Sequence, residues 1–363
     1  MKRLISIDIL RGLALAGMIL VNNPGNWNHI YAPFEHAEFI GLTLADLVFP
    51  TFMFVMGLCI PLAFRKYQNI NKLKAIKHIA IRTLMIFSIG LFLQWMSRGF
   101  CSWQELRIPG VLQRLAICYG ICAFLYMYSR QSVLILIAVL ITIGYSFILS
   151  FFNGYEWSEA NIISKVDHFI LGANHLYIDN GIRLDPEGIL STLPCISHVL
   201  FGVCIMLEWI KLQNDNNDLL VAFKKYSKYV FSFAIMSTFI VFLDIHDSIP
   251  IIKKVWSTSF LLVTVSIASL LLTVLIWLVD IKHLSGWWSK FFSIFGRYPL
   301  QLYIISWILA DLFGEWGITW KTYNYFCNYF SPELASLIYA ICFVILHWFI
   351  AYGILKFNSF KKN

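Results

Sequence analysis

Runs of about 20 apolar residues follow one another along the whole chain, and a run of that length is what an α-helix needs to cross the hydrocarbon core of a bilayer. Only 13% of the 363 residues are charged and mean hydropathy is +0.71, whereas soluble domains carry about 25% charged residues. In hydrocarbon every backbone N–H and C=O must be satisfied inside the segment, which leaves the helix as the spanning element for runs of this kind. The chain therefore reads as an all-α polytopic membrane protein with about ten transmembrane helices. These are expected near 5–22, 43–64, 75–97, 110–129, 131–152, 189–210, 226–245, 257–280, 291–313 and 332–355. No polar block is long enough for a separate soluble domain, so residues 1–363 read as a single transmembrane domain with one long outer loop at about 153–188. The first run passes into a loop without a small-residue cleavage site, which marks a retained helix rather than a signal peptide.

Cationic residues orient such a chain, because Lys and Arg are retained on the cytoplasmic side. Most of them fall at one set of helix ends, among them Arg65, Lys66, Lys72, Lys74, Lys77, Lys211, Lys224, Lys225, Lys228, Lys290, Lys361 and Lys362. Both termini lie on that side, so they are expected in the cytoplasm, with the chain in the cell (inner) membrane. The net charge of +8 follows from this asymmetry and is no sign of nucleic-acid binding. Loops 23–42 and 153–188 then face outward and are acidic, which suits a neutral or cationic ligand. The eight cysteines lie mostly in apolar runs and include no C-x-x-C pair, so neither a metal site nor a disulfide framework is indicated.

Against this background, polar groups inside or beside spans stand out. At the inner end of the first span, Asp8 and Arg11 share a helical face; they form a structural ion pair or Arg11 contacts a phosphate. At its outer end stand Asn22 and Asn23, followed by Pro24 and Gly25, a turn signal; an amide here can also donate to an oxyanion. Then comes HAEFIGLTLADLVFPTFMFVMG, His36 to Gly57. Thr43-x-x-Asp46 has the form of a capping box. Asp46 can instead orient the His36 imidazole, and the two roles compete for one carboxylate. Pro50 is expected to kink this helix. In RIPGVLQRLA, Arg114 enters apolar surroundings and needs a partner, with Asp46 or Asp311 as candidates. Asp185 and Glu187, with His175 upstream, either favour a helix start or hold an amine or sugar hydroxyls. Arg297, in FGRYPLQLY, lies as deep from the cytoplasm as Arg11; both either reach the headgroups or grip phosphates together.

The succession RLISIDILRGLAL, VNN, EHAEFIGLTLADLVFP, RIPGVLQRLA, DPEGILSTLPCI and IKKVWSTSF closely resembles the heparan-α-glucosaminide N-acetyltransferase family and its bacterial relatives. The resemblance implies an acyltransferase-like membrane domain. It would take acetyl from cytoplasmic acetyl-CoA, a co-substrate rather than a resident cofactor, and deliver it to the amino group of a glucosamine-type sugar or a glucosamine-terminated oligosaccharide outside. It maps the catalytic histidine onto His36 and an assisting asparagine onto Asn22, with Asn23 adjacent. Asp46 would orient the imidazole; Asp185, Glu187, His175 and Asn23 would hold the sugar; Arg11, Arg114 and Arg297 would hold coenzyme A. A second copy of the chain is a further candidate partner. An amino-sugar transporter without acetyl transfer is the alternative.

Overall fold

A computed structural model describes residues 4–65, 72–216, 218–243 and 249–360; Lys66, Lys361 and Lys362 lie outside them. The described chain is helical, with one isolated antiparallel bridge between Asp179 and Ile182. The helices are α1 (Ile5–Val21), α2 (Leu44–Phe64), α3 (Lys72–Ser97), α4 (Val111–Tyr128), α5 (Gln131–Phe151), α6 (Ile162–Leu171), α7 (Thr192–Asp215), α8 (Leu219–Leu243), α9 (Thr258–Leu275, continued by a π-turn to Ile281), α10 (Trp287–Phe295), α11 (Pro299–Glu315), α12 (Ile318–Cys327) and α13 (Pro332–Phe360).

Among the described residues, seven helices are long and apolar enough to cross a membrane, or eight if the pair α11 and α12, bent by 75°, counts as one span. The expected count of about ten is not reached. At 17 residues α1 is about 25 Å long, short of a full hydrocarbon core. The span expected at 291–313 is two helices, because Gly296 ends α10 and Pro299 starts α11, where its missing N–H costs nothing. Helix α2 runs unbroken through Pro50, whose ring nitrogen only withholds the intrahelical donor from the Asp46 carbonyl.

The chain divides into two compact units. The first holds the residues up to Ala37, Thr43–Phe52 and everything from Leu271 onward. Its organising contact is α1 against α10. A Cβ on Gly12 would lie 1.8 Å from the Phe292 carbonyl oxygen, and one on Gly296 would lie 1.9 Å from the Asp8 carbonyl oxygen. Small residues let backbones in lipid approach this closely, and dispersion then holds the pair. The first N–H groups of α1 are satisfied by a distant side chain: Asp280 accepts from Ile5 and Ser6 at 3.0 and 3.3 Å. The loop after α1 is fastened to α13, where the Asn26 N–H donates to the Ser336 hydroxyl at 3.1 Å.

The second unit holds Glu38–Leu42 and Met53–Leu270. Here the C-terminal part of α2 meets α7 through a second glycine pair: a Cβ on Gly57 would lie 2.2 Å from the Val199 carbonyl, and one on Gly202 would lie 2.4 Å from the Phe54 carbonyl. The expected outer loop is a packed structure. It contains α6 and a tight hairpin whose Asn180 and Gly181 both have positive φ, 48° and 83°, as a type I′ turn requires. Ile163 and Leu184 from this segment are fully buried with Tyr145, Leu149, Ile252 and Val255.

Gly57→Leu or Gly296→Leu should cost roughly 1–3 kcal/mol or more by overpacking and lower the melting temperature in detergent. Gly144→Ala, with nothing within 4 Å of the added carbon, should leave it unchanged or slightly raised.

Candidate active site

Asp46 sits in the first turn of α2 and is completely buried. Its two carboxylate oxygens have different work. Oδ1 lies 2.8 Å from Nδ1 of His36. Oδ2 accepts from the Ala37 N–H (3.2 Å), the Thr43 N–H (3.1 Å) and the Thr43 hydroxyl (3.1 Å). The helix-start role and the imidazole-orienting role, which compete on paper, are therefore filled together. A carboxylate only accepts, so Nδ1 carries the hydrogen and the lone pair of the ring resides on Nε2. The His36 side chain is 41% exposed. Such a pair is chemically suited to act as a base or nucleophile, because the buried anion stabilises positive charge on the ring.

At the end of α1, the Asn23 amide donates to the Ile19 carbonyl at 2.7 Å, so it closes its own helix. Asn22, the C-cap residue, is exposed, and its side chain makes no hydrogen bond among the described residues. Of the two asparagines, Asn22 has the amide to spare. Elsewhere in this unit Arg11 donates to the Gly296 carbonyl at 2.8 Å and stands 3.5 Å from Asp8. Gly296 directly precedes Arg297, which is exposed. Both expectations for Arg11 thus have a geometric basis: an ion pair, and proximity to the break that carries Arg297.

The second unit redirects the remaining candidates. Arg114 is buried, and its partners are not the expected Asp46 or Asp311: it donates to the Gly188 carbonyl at 3.1 Å and to the Ser191 hydroxyl, and lies 5.6 Å from the Trp256 ring centre. It braces the turn that leads into α7, which explains a buried arginine without a phosphate. Asp185, also fully buried, accepts four bonds: Arg107 Nε (2.9 Å), Arg107 Nη2 (2.6 Å), and the N–H groups of Tyr177 and Glu187 (2.9 Å each). That fills the acceptor capacity of a carboxylate and leaves no place for a substrate amine. Glu187 takes Arg107 Nη2 at 2.5 Å. Burial opposes the charge on Arg107, but Glu187 and Asp185 outweigh it and hold its pKa above the ordinary arginine value. His175 donates through Nδ1 to the Leu106 carbonyl at 2.7 Å, and its own carbonyl accepts from Ile108 at 3.1 Å. Three of the four residues expected to hold sugar are thus engaged in framework bonds. The outer acidity is likewise compensated from within: Lys254 meets Asp179 at 2.6 Å and Arg183 meets Glu159 at 3.4 Å.

Asp167, on α6, is the residue here that sequence reasoning missed. It is fully buried; Oδ1 accepts from Ile189 and Leu190 at 2.8 and 3.1 Å, while Oδ2 has no recorded hydrogen-bond partner. Burial raises its pKa to about 6, against the pull of those two N–H groups. The available signal was weak: a lone acid on a short helix. Among the described residues no group of His, Cys, Asp and Glu could hold a metal ion.

The family model described as heparan-alpha-glucosaminide N-acetyltransferase, catalytic, matches residues 3–170. A human heparan-alpha-glucosaminide N-acetyltransferase is 28% identical over 370 residues, covering 87% of this chain and 54% of the relative. The mouse protein is 27% identical, with 87% and 55% covered. The chain spans about half the length of the curated relatives it matches. The resemblance read from the sequence motifs is borne out. The matched segment contains Arg11, Asn22, Asn23, His36, Asp46 and Arg114, and excludes His175, Asp185, Glu187 and Arg297.

Because the folded pKa of Asp167 lies above the ordinary 3.8, protonation favours the folded state. Its stabilising contribution is full below about pH 4 and is lost as the pH rises through about 6. Asp167→Asn, neutral throughout, should gain on the wild type in melting temperature between pH 4 and pH 7; a pH-independent difference would contradict the assignment.

Proposed function

The chain is related to the heparan-alpha-glucosaminide N-acetyltransferases, and from that footing we propose that it is a transmembrane N-acetyltransferase. It moves acetyl from cytoplasmic acetyl-CoA to the amino group of a glucosamine-type sugar on the outer side. The observation that carries this reading is the bond from His36 to buried Asp46, which lies inside the segment matched by the catalytic family model.

The chemistry follows from that bond. An amine attacks a thioester only through its free lone pair. His36 Nε2 accepts the proton that the attacking amine loses, the C–N bond forms, the C–S bond breaks, and coenzyme A leaves as the thiolate. The equivalent two-step route has Nε2 attack the thioester first, giving an acetyl-imidazole that the amine then opens. Both routes place positive charge on the ring, and Asp46 stabilises it in both. The exposed Asn22 amide is the donor for the developing oxyanion.

Sidedness rests on the lysine-rich helix ends, which orient both termini to the cytoplasm. Acetyl-CoA is polyanionic and arrives from that side. Arg11 and Arg297, on either side of the Gly296 contact, are suited to its phosphates. Its pantetheine arm, roughly 15–20 Å at backbone-like bond lengths, carries the thioester well into a hydrocarbon core about 30 Å thick.

With protein in liposomes and labelled acetyl-CoA, His36→Ala and Asp46→Asn should each lower acetyl transfer to glucosamine by roughly 10²–10⁴-fold. Thr43→Val, which loses only the hydroxyl bond to Oδ2, should stay close to wild type. Transfer undiminished in His36→Ala would end the proposal, and sugar uptake without acetyl-CoA would favour a transporter.

A further inference from the structure

The loops at one end of the second unit enclose a cleft of about 330 Å³, within the range of about 300–1,000 Å³ usual for small-molecule sites. Arg98 and Glu105 line it from the segment between α3 and α4. Asn174 lines it from the turn after α6. Tyr177 and Ile178 come from one arm of the Asn180–Gly181 hairpin and Arg183 from the other. None of these six was singled out as a ligand by its place in the sequence.

We propose that this cleft holds a sugar residue. A pyranose offers an apolar C–H face and hydroxyls that each donate and accept. The lining matches both features. The Tyr177 ring is 39% exposed; the Arg107 guanidinium, 4.9 Å from the ring centre, fixes its orientation. Arg98 and Arg183 supply donors, Glu105 an acceptor and Asn174 both. Charge is nearly balanced, two guanidiniums against Glu105 and the Glu159 carboxylate that meets Arg183. That balance suits a hydroxylated ligand better than a phosphate.

The cleft is also preorganised, which lowers the ordering cost of binding. Arg98 donates to the Glu105 carbonyl at 2.8 Å. His175 ties the turn to Leu106, and Asp185 takes the Tyr177 N–H while binding Arg107. Two of the residues that the sequence suggested as sugar ligands, His175 and Asp185, thus stand one layer behind the cleft wall.

The assignment rests on the reading of the acceptor as a sugar, so the test is binding without acetyl-CoA. The full chain in detergent is titrated calorimetrically with a glucosamine tetrasaccharide. Tyr177→Ala and Asn174→Ala should each weaken binding at least about tenfold, about 1.4 kcal/mol, with melting temperatures unchanged. Absence of binding, or binding unchanged in both cleft variants, overturns the site. If Tyr177→Ala loses stability, Asn174→Ala alone decides, because its exposed side chain makes no hydrogen bond among the described residues. Cleft-dependent binding by a protein that transfers no acetyl group would refute the enzymatic reading and leave the site standing.

Discussion

A single buried carboxylate at the start of α2 ties the His36 loop to its helix in the first unit. Asp46 has no exposed surface, so each of its lone pairs has to find a donor within the chain or be costly. Three donors come from Ala37 and Thr43 and the fourth from the His36 ring. The same atoms that allow a helix to begin at the end of a polar loop thereby lock an imidazole in one tautomer. Remove the carboxylate and the loop loses its attachment as the histidine loses its orientation. Pro50, four residues on, withholds a hydrogen from the Asp46 carbonyl without interrupting the helix.

In the second unit the same principle operates with the signs reversed. Arg107 and Arg114 are drawn into largely buried positions, and each is met by oxygens from the segment 185–191. Most of the acids of the segment 153–188 are thereby held inward, while Glu156 and Glu159 stay exposed. Asp185 and Glu187 hold Arg107, Asp179 holds Lys254 and Glu159 holds Arg183. Asp167 stands apart, with one oxygen on two N–H groups and the other in a dry contact beside Gly188, and its pKa rises accordingly.

Much of the fold was legible because hydrocarbon imposes a length and an apolar composition on whatever crosses it. The runs now seen as α2, α4, α5 and α7 lie within a few residues of their expected bounds. The span expected at 291–313 failed because hydropathy averages over a window and is blind to the local geometry of Gly296 and Pro299. The hairpin at Asn180 and Gly181 had its own signal, a dipeptide suited to positive φ, but no hydrophobic alternation around it strong enough to raise it above a loop.

What the sequence by itself determined is the class of molecule and the chemical types on offer: apolar runs force helices, the end of α1 carries two amides, and the start of α2 brings an imidazole and a carboxylate within ten residues of each other. What only the tertiary structure decided is how those groups are shared out. Whether Asp46 serves the helix or the imidazole, whether Asn22 or Asn23 keeps its amide, and whether Asp185 meets a substrate or an arginine are all questions of which donor lies within about 3 Å. Such distances depend on partners remote in the chain, as with Asp280 at the start of α1 and Arg107 beside Asp185, and no local pattern of residues records them.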